Sequence, residues 1–556
     1  MSAPEHFDVV ILGGGINGAG LFRDLCEQGV KCAIVDKGDW GGGTSAAPSR
    51  LIHGGLKYLE TGEFRLVAES TLERNLLLRN APHLVHPLET LIPIQSWTRG
   101  TWAALRTFFG SKTAPRSRGA VLIKIGLWLY DLYGAKARVM PRHAMLSRTR
   151  ALQGLPALTP RIKAAGTYYD ASITAPERLV LELVQDGLRA MPTARALNWA
   201  TTTKTADGTL CIDAQATTHH IRTTIVINAA GPWIDAVNAI LGLETRLIGG
   251  TRGSHILLDH PELLAQLKGR MIYFESDDGR ILLVFPYHGR ALVGSTDIPD
   301  TNPDTATCTA PETAYFMQAL AALLPGLTFQ EDQIVYSYAG IRPLPNSGGV
   351  APGLISRDHS APVHPAGPGR PFDVISLVGG KWTTFRGFAE QVADTVLARL
   401  NHARHVSTRD LPIGGGRDMP KSSAQAKWVT TVSSDTGLAA VRVGELLHRY
   451  GTTARAIAAH EAGGTAPLHG APDHTEAEID WIIRHEQVRR LADLALRRTQ
   501  LAITGRLTRA GLEQMADIAA TRLGWSEQQR QDEVVQVLAL LTARHGVTLK
   551  NVLGFM

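Results

Sequence analysis

Gly13, Gly15 and Gly18 close a short apolar run, Phe7-Asp-Val-Val-Ile-Leu-Gly-Gly-Gly-Ile-Asn-Gly18, and spell G-x-G-x-x-G where a strand would turn into a helix. In such a unit the first glycine permits the tight turn, the second lets backbone approach a pyrophosphate, and the third lets the helix pack on the strand. The helix N-terminus then offers unpaired N–H groups to the anion. The surrounding elements are those the motif needs: an amphipathic stretch Ala19 to Gln28, then a second apolar run Cys32-Ala-Ile-Val35 ending in Asp36. Asp36 lies 23 residues after Gly13, where a carboxylate would take ribose hydroxyls.

The elements that position these residues recur further along. Ile225-Val-Ile-Asn-Ala-Ala-Gly-Pro-Trp233 and Phe372-Asp-Val-Ile-Ser-Leu-Val-Gly-Gly-Lys-Trp-Thr383 are also apolar strands ending in small residues, the latter entering a helix from about Phe385 to Leu400. Three such turns over some 380 residues imply one cofactor domain assembled from separated segments, with a second sheet inserted between them. Residues 63–79 read as helix, 85–95 as a strand holding two prolines, and 163–300 as strands alternating with turns around a helix from Pro176 to Arg189. After a Gly-, Pro- and Ser-rich linker at 406–423, residues 424–556 read as a helical domain. Within it, Ile479, Ile482, Ile483, Leu491 and Leu494 recur at helical spacing through Glu478 to Ala502. Arg484, Arg489, Arg490, Arg497 and Arg498 among them read as a solvated face.

A chain of 556 residues exceeds one compact core, and domains of roughly 100 to 200 residues make two to four units. The four cysteines, Cys26, Cys32, Cys211 and Cys308, show neither C-x-x-C nor metal-ligand spacing, which argues against a disulfide framework and a zinc site and for a reducing compartment. The first residues carry no basic segment followed by an apolar one, and no charge-free run reaches about 18 apolar residues. A cytoplasmic protein is the expectation. The net charge of +6 is unevenly spread: residues 99–150 hold eleven Lys or Arg and a single acid, Asp131. Trp97, Trp102, Phe108, Phe109, Trp128, Leu129, Tyr130 and Tyr133 lie among those charges, a composition suited to an anionic membrane surface.

Gly43-Thr44-Ser45 and Ser49-Arg-Leu-Ile-His-Gly-Gly-Leu-Lys-Tyr-Leu-Glu60 are followed, in order, by Asn228-Ala-Ala-Gly-Pro-Trp233, Gly253-Ser-His-Ile256, Gly294-Ser-Thr-Asp297, Gly340-Ile-Arg-Pro-Leu344, Ser356-Arg-Asp358 and Gly379-Gly-Lys-Trp-Thr-Thr-Phe-Arg386. Arg484-His-Glu486 and Leu496-Arg-Arg-Thr499 come last. Nearly end to end, this series resembles the FAD-dependent, quinone-linked glycerol-3-phosphate dehydrogenases. The resemblance implies an α/β fold of the D-amino-acid-oxidase type: a Rossmann-like FAD domain interleaved over residues 1–405 with a mixed-sheet substrate domain, and an all-helical C-terminal domain. It implies oxidation of glycerol 3-phosphate to dihydroxyacetone phosphate, with electrons passed from FAD to a membrane quinone by an enzyme resting on the inner face of the cytoplasmic membrane. Nucleic acid is not among the implied partners, and a homodimer is left open.

By the same resemblance, His255, Arg342 and Lys381 are the catalytic candidates. His255 is the leading proton acceptor, because an imidazole titrates near working pH without a large shift; Lys381 would serve if burial lowered its pKa. Lys57, Tyr58 and Arg357 are expected on the substrate, and Gly13, Gly15, Asn17, Gly18, Asp36, Lys37, Thr44, Ser45, His53, Gly380 and Thr383 on the cofactor. Two departures stand out. The family typically has Ser-Thr-Lys where this chain has Pro48-Ser49-Arg50, and Arg where Lys57 stands, which keeps the charge but loses the bidentate fork. A related polyol phosphate, such as a tetritol phosphate, is therefore an alternative substrate. A soluble oxidase reducing oxygen, and a FAD-bearing regulator or nucleic-acid binder acting through the helical tail, are the competing functions.

Overall fold

Strands with no polar alternation are buried on both faces, the signature of a parallel sheet covered by helices. Glu5–Leu12 and Cys32–Val35 are of this kind, and the computed structural model, which describes residues 4–56, 63–97, 120–133, 140–346 and 358–549, places them at the centre of such a sheet. Its parallel strands run in the order Asp373–Ser376, Thr217–Asn228, Glu5–Leu12, Cys32–Val35, Arg195–Leu197. Segments more than 350 residues apart in sequence, Glu5–Leu12 and Asp373–Ser376, thus lie in one sheet on either side of Thr217–Asn228, as the three strand-to-small-residue turns require. Helices Ile16–Glu27, Pro176–Ala190 and Phe385–Leu400 cover one face around Val9, Ile11, Phe22 and Phe388. The other face, with Phe7, Val10 and Leu12, lies under the antiparallel flap of Ala200–Lys204 and Leu210–Ala214.

The second sheet has ten strands and is mixed. Ile334–Pro345 pairs with Ile248–Leu258, and the sheet continues through Arg290–Gly294, Ile281–Tyr287, Met271–Glu275, Val85–Ile94 and Ala164–Ile173 to Leu51–Ile52. Met271–Glu275 runs parallel to Val85–Ile94 and touches it only at Thr90 and Leu91, so Pro87 and Pro93 owe no donor on that side. Helices Pro261–Leu267 and Ala310–Leu323 close one face of the sheet.

The C-terminal helices close its other face. Leu257, Phe285, Tyr336 and Tyr338 from the sheet share one apolar core with Leu446, Ile482, Leu494, Leu512 and Leu541. The stretch 406–423 is tied down on the way: Ile413 N–H donates to the Asn80 carbonyl at 2.8 Å, and Arg23 donates to the Pro412 carbonyl at 2.7 Å. Two expectations are corrected here. Glu478 to Ala502 is not one helix: Glu476–His485 ends, Gln487 takes a left-handed φ of 51°, and the chain resumes as Leu491–Asp493 and a wider turn Leu494–Arg498. Arg497 and Arg498 are not on a solvated face, their side chains being 10% and 1% exposed; Arg484 and Arg490 do face solvent.

Candidate functional site

A cavity of about 1280 Å³ runs between the two sheets, from Asp36 and Lys37 at one end to Tyr168 and Tyr273 at the other. Its first wall is the glycine turn. Gly13 has φ of +114° and a Cβ there would lie 2.5 Å from the Ala229 carbonyl, so only glycine fits. A Cβ on Gly18 would overlap the Gly13 carbonyl, so Gly18 lies inside the helix–strand contact and not on the cavity wall. Gly15 precedes helix Ile16–Glu27, whose Ile16 N–H donates to Ser45 Oγ at 2.9 Å. Asp36 receives the Gly14 and Gly38 N–H groups at 2.6 and 2.8 Å. Burial pushes its pKa up, and those two N–H groups pull against that. Lys37 lies 4.1 Å above the Trp233 ring and 3.2 Å from Asp304.

The middle of the cavity is where distant segments converge. Thr44 donates to the Ile341 carbonyl at 2.6 Å, and Trp382 donates to the Ser45 carbonyl at 3.3 Å, so the Thr44–Ala46 turn links strand Ile334–Pro345 to the Trp382–Thr384 turn. Gly379 and Gly380 take φ of 72° and 88° there, and Gly380 and Thr383 face the cavity. Asn17 Oδ1 is buried beside them without a hydrogen-bond partner among the described residues. A glycine-bounded groove with an orphaned amide oxygen and a helix N-terminus fits an extended dinucleotide.

The three candidate catalytic side chains line this one cavity, His255 and Arg342 together on the substrate sheet and Lys381 on the turn after Gly379 and Gly380. His255 pairs across its strand with Gly294 and Tyr338. Its ring lies flat on Tyr338 at 4.8 Å, and a Cβ on Gly294 would overlap it. Its Nε2 shares a 2.8 Å hydrogen bond with Ser49 Oγ. Burial first, then the cations of Arg342 and Arg50, hold its pKa well below the ordinary 6.5, which departs from the expectation of an unshifted imidazole. Arg342 donates to the Thr296 carbonyl, Asp297 and Ser295 Oγ at 3.0, 3.1 and 3.1 Å, and crosses above Gly253, where a Cβ would overlap its guanidinium. Lys381 is buried and donates to Ser70 Oγ at 3.0 Å. His53 and Gly55 also line the cavity, while the intervening Gly54 N–H donates to Tyr130 Oη at 2.9 Å and to Asp170 at 3.1 Å.

Lys57, Tyr58 and Arg357 lie outside the described residues, as do 98–119 and 134–139 of the basic aromatic segment. Within that segment Tyr130 is corrected from surface to interior: it is 3% exposed, paired with Asp170 and Arg74. Other parts of the site carry no local signal in the sequence. Arg50, one of the two departures from the family pattern, is buried with φ of +57° and bonded bidentately to Glu177 at 2.7 and 2.9 Å. Glu312 receives Ser254 Oγ and Thr296 Oγ1 at 2.8 and 2.7 Å, bracing the turn on which Arg342 rests. Both glutamates come from helices packed on the sheets, 127 residues from Arg50 and 58 from Ser254, so only the fold brings these groups together.

The sequence pattern of the FAD dependent oxidoreductases (DAO) matches residues 8–394, and that of the C-terminal domain of alpha-glycerophosphate oxidase matches residues 406–530. A glycerol-3-phosphate dehydrogenase of Synechocystis sp. is 30% identical over 560 residues, covering 94% of each chain. A D-erythritol 1-phosphate dehydrogenase of Brucella abortus is 29% identical over 523 residues, covering 90% of this chain and 95% of that relative. Among solved structures, glycerol-3-phosphate dehydrogenase from Bacillus halodurans complexed with FAD has a TM-score of 0.74 at 22% identity, over 98% of this chain and 96% of that one. L-alpha-glycerophosphate oxidase from Mycoplasma pneumoniae with FAD bound has a TM-score of 0.51 at 18% identity, over 71% and 95%. At those identities the two structures establish the fold.

Proposed function

The chain belongs to the FAD dependent oxidoreductases, in the glycerol-3-phosphate dehydrogenase family, and from that premise we propose that it oxidises the secondary hydroxyl of glycerol 3-phosphate to a ketone. The observation that carries this reading is one cavity holding both the glycine groove and the His255, Arg342 and Lys381 group. FAD, when bound, supplies the acceptor for the hydride leaving the carbinol carbon. Gly13, Gly15, Asn17, Asp36, Ser45, Gly380 and Thr383 are the residues that would hold it.

The side chains divide the remaining work. Arg342 presents a guanidinium, braced on Thr296 and Asp297, to the phosphate or the developing alkoxide. His255, neutral under the influence of burial and two cations, is free to take the hydroxyl proton. The same cations weaken it as a base until a phosphate dianion settles against Arg342 and offsets them. Substrate arrival therefore strengthens the base that will deprotonate it. Lys381, held by Ser70, adds a second cation to the cavity lining.

A related polyol phosphate is the second reading, supported by Lys57 in place of the family's Arg and by the similarity to the D-erythritol 1-phosphate dehydrogenase. For the electron acceptor we propose a membrane quinone. Helix Ala120–Tyr133 exposes Val121, Ile125, Trp128 and Leu132 by 50%, 53%, 59% and 56%, and Trp97 is exposed by 57%. Residues at this spacing form one apolar stripe, flanked in sequence by the basic segment, which suits peripheral contact with an anionic bilayer. No described helix is long and apolar enough to cross a membrane.

Anaerobic bleaching of the flavin absorbance tests the reaction, with glycerol 3-phosphate beside a panel of longer polyol phosphates and 2-hydroxy acids. Rapid bleaching by glycerol 3-phosphate is expected. Bleaching only by a longer polyol phosphate would establish the second reading, and bleaching by none would overturn both. Hydrogen peroxide formed at the rate of turnover, without added quinone, would replace the quinone by oxygen.

A further inference from the structure

Asp39 follows Asp36 by three residues, in a loop where Gly38, Gly41, Gly42 and Gly43 leave the backbone little stiffness of its own. The loop is nevertheless pinned, and by the helical domain. Arg498 reaches Asp39 through Nη1 and Nη2 at 2.7 and 2.8 Å, and Arg497 reaches it through Nε at 2.5 Å. Burial alone would raise the Asp39 pKa, but the two arginines reverse this and hold the carboxyl well below the usual range. The next residue, Trp40, is fully buried and donates from its indole N–H to Gln487 Oε1 at 2.8 Å. Its ring lies where a Cβ of Gly14 would be, so it backs directly onto the glycine turn. On the other side of the loop, Trp199 accepts no freedom either: its N–H donates to the Gly38 carbonyl at 2.8 Å and its indole donates to Asp493 at 3.2 Å.

We infer that the helical C-terminal domain is part of the cofactor-binding apparatus, with Arg497, Arg498 and Gln487 clamping Asp39 and Trp40 so that the loop after Asp36 keeps the shape that receives the adenosine end of the dinucleotide. Leu496 and Arg497 themselves line the cavity, beside Gly38, Asp39 and Trp199. The clamp concerns FAD and stands whichever alcohol is oxidised. It gives the helical domain a task that its own sequence does not announce.

The decisive comparison uses a second polar contact between the sheet and the helical domain, one that touches no clamp residue. Arg290 donates to the Thr504 carbonyl at 2.8 Å, and neither residue lines the cavity. Full-length Asp39→Asn and Arg290→Met proteins are stripped of flavin and titrated with FAD, reading flavin fluorescence quenching at a temperature where circular dichroism shows both folded. Asp39→Asn is expected to weaken FAD binding about tenfold or more, equivalent to about 1.4 kcal/mol, and Arg290→Met to stay within about twofold. Equal loss in both, or no loss in Asp39→Asn, would overturn the inference. If Asp39→Asn does not fold, Gln487→Asn carries the same test, because asparagine tolerates the left-handed backbone there but is too short to reach Trp40. It is expected to weaken FAD binding several-fold, and unchanged binding would overturn the inference.

Discussion

Replacing Glu177 by Gln keeps the shape of the side chain and removes its charge, which makes it a sharp probe of the substrate-sheet end of the cavity. Arg50 and Glu177 have side chains only 3% exposed. Without the negative charge, the Arg50 guanidinium keeps only neutral partners: the side-chain oxygen that glutamine retains, the Ala46 carbonyl at 3.2 Å, and the faces of Tyr287 and Tyr338 at 5.3 and 5.8 Å. Those contacts exist before and after the change, so they do not offset it. An uncompensated buried cation costs about 3–5 kcal/mol when its partner is removed, whereas replacing a whole buried pair by apolar groups is often neutral. Glu177→Gln should therefore lose about 3–5 kcal/mol in urea unfolding of the holoenzyme, and Arg50→Met with Glu177→Leu should recover most of it. A loss below about 1 kcal/mol in the single variant, or a double variant no more stable than the single, would refute the reasoning. The double variant also removes one of the two cations that depress His255, so the acidic limb of its rate–pH profile should move to higher pH.

Gly253→Ala should fold, since the atoms it displaces are the far end of the long Arg342 side chain and not backbone, yet lower kcat/KM about tenfold or more by moving that guanidinium; unchanged kinetics would remove Arg342 from the substrate site. The depressed pKa of His255 has a fixed sign for stability. The unfolded imidazole, near 6.5, binds its proton before the folded one, so stability is full above that value and falls as pH drops below it. Burial, with help from Arg544 and Arg497, also holds His545 down to about 4, and it acts in the same direction. His255→Asn should shrink the difference in unfolding free energy between pH 7 and pH 5, and an unaltered difference would show that His255 does not titrate as described. Trp128→Glu should abolish sedimentation with vesicles containing anionic lipid while leaving anaerobic flavin reduction intact; full retention on vesicles would remove the stripe from the membrane contact.

The cofactor half of the molecule was legible because its chemistry is local. A glycine at 13 with positive φ, a carboxylate at 36 and two further strand-to-small-residue turns are each written within a dozen residues, and the parallel sheet follows from them. The substrate half was legible only in part. His255 and Arg342 stand out as residue types in their short motifs, but Ser49 against His255, Glu177 against Arg50 and Glu312 under Thr296 are joined by the packing of loops and helices on the sheets, which no local pattern encodes. The arginines at 497 and 498 misled for a related reason. Their neighbours have ordinary amphipathic spacing, and the carboxylate that receives both guanidiniums, Asp39, is more than 450 residues away, while the nearby Asp493 bonds Arg497 alone. Tyr130 shows the opposite error: composition grouped it with surface aromatics, while its hydroxyl belongs to Arg74, Asp170 and Gly54.

Helix Ala120–Tyr133 has two addresses. Outward it shows Trp128 and its apolar neighbours; inward, Tyr130 receives the Gly54 N–H in the wall between His53 and Gly55. Removing the helix to obtain a better-behaved protein would therefore dismantle the cavity wall along with the surface. The outward side chains at 121, 125, 128 and 132 can be exchanged for polar ones with the inward set untouched, so substitution, unlike deletion, separates the outer face of the helix from the cavity wall.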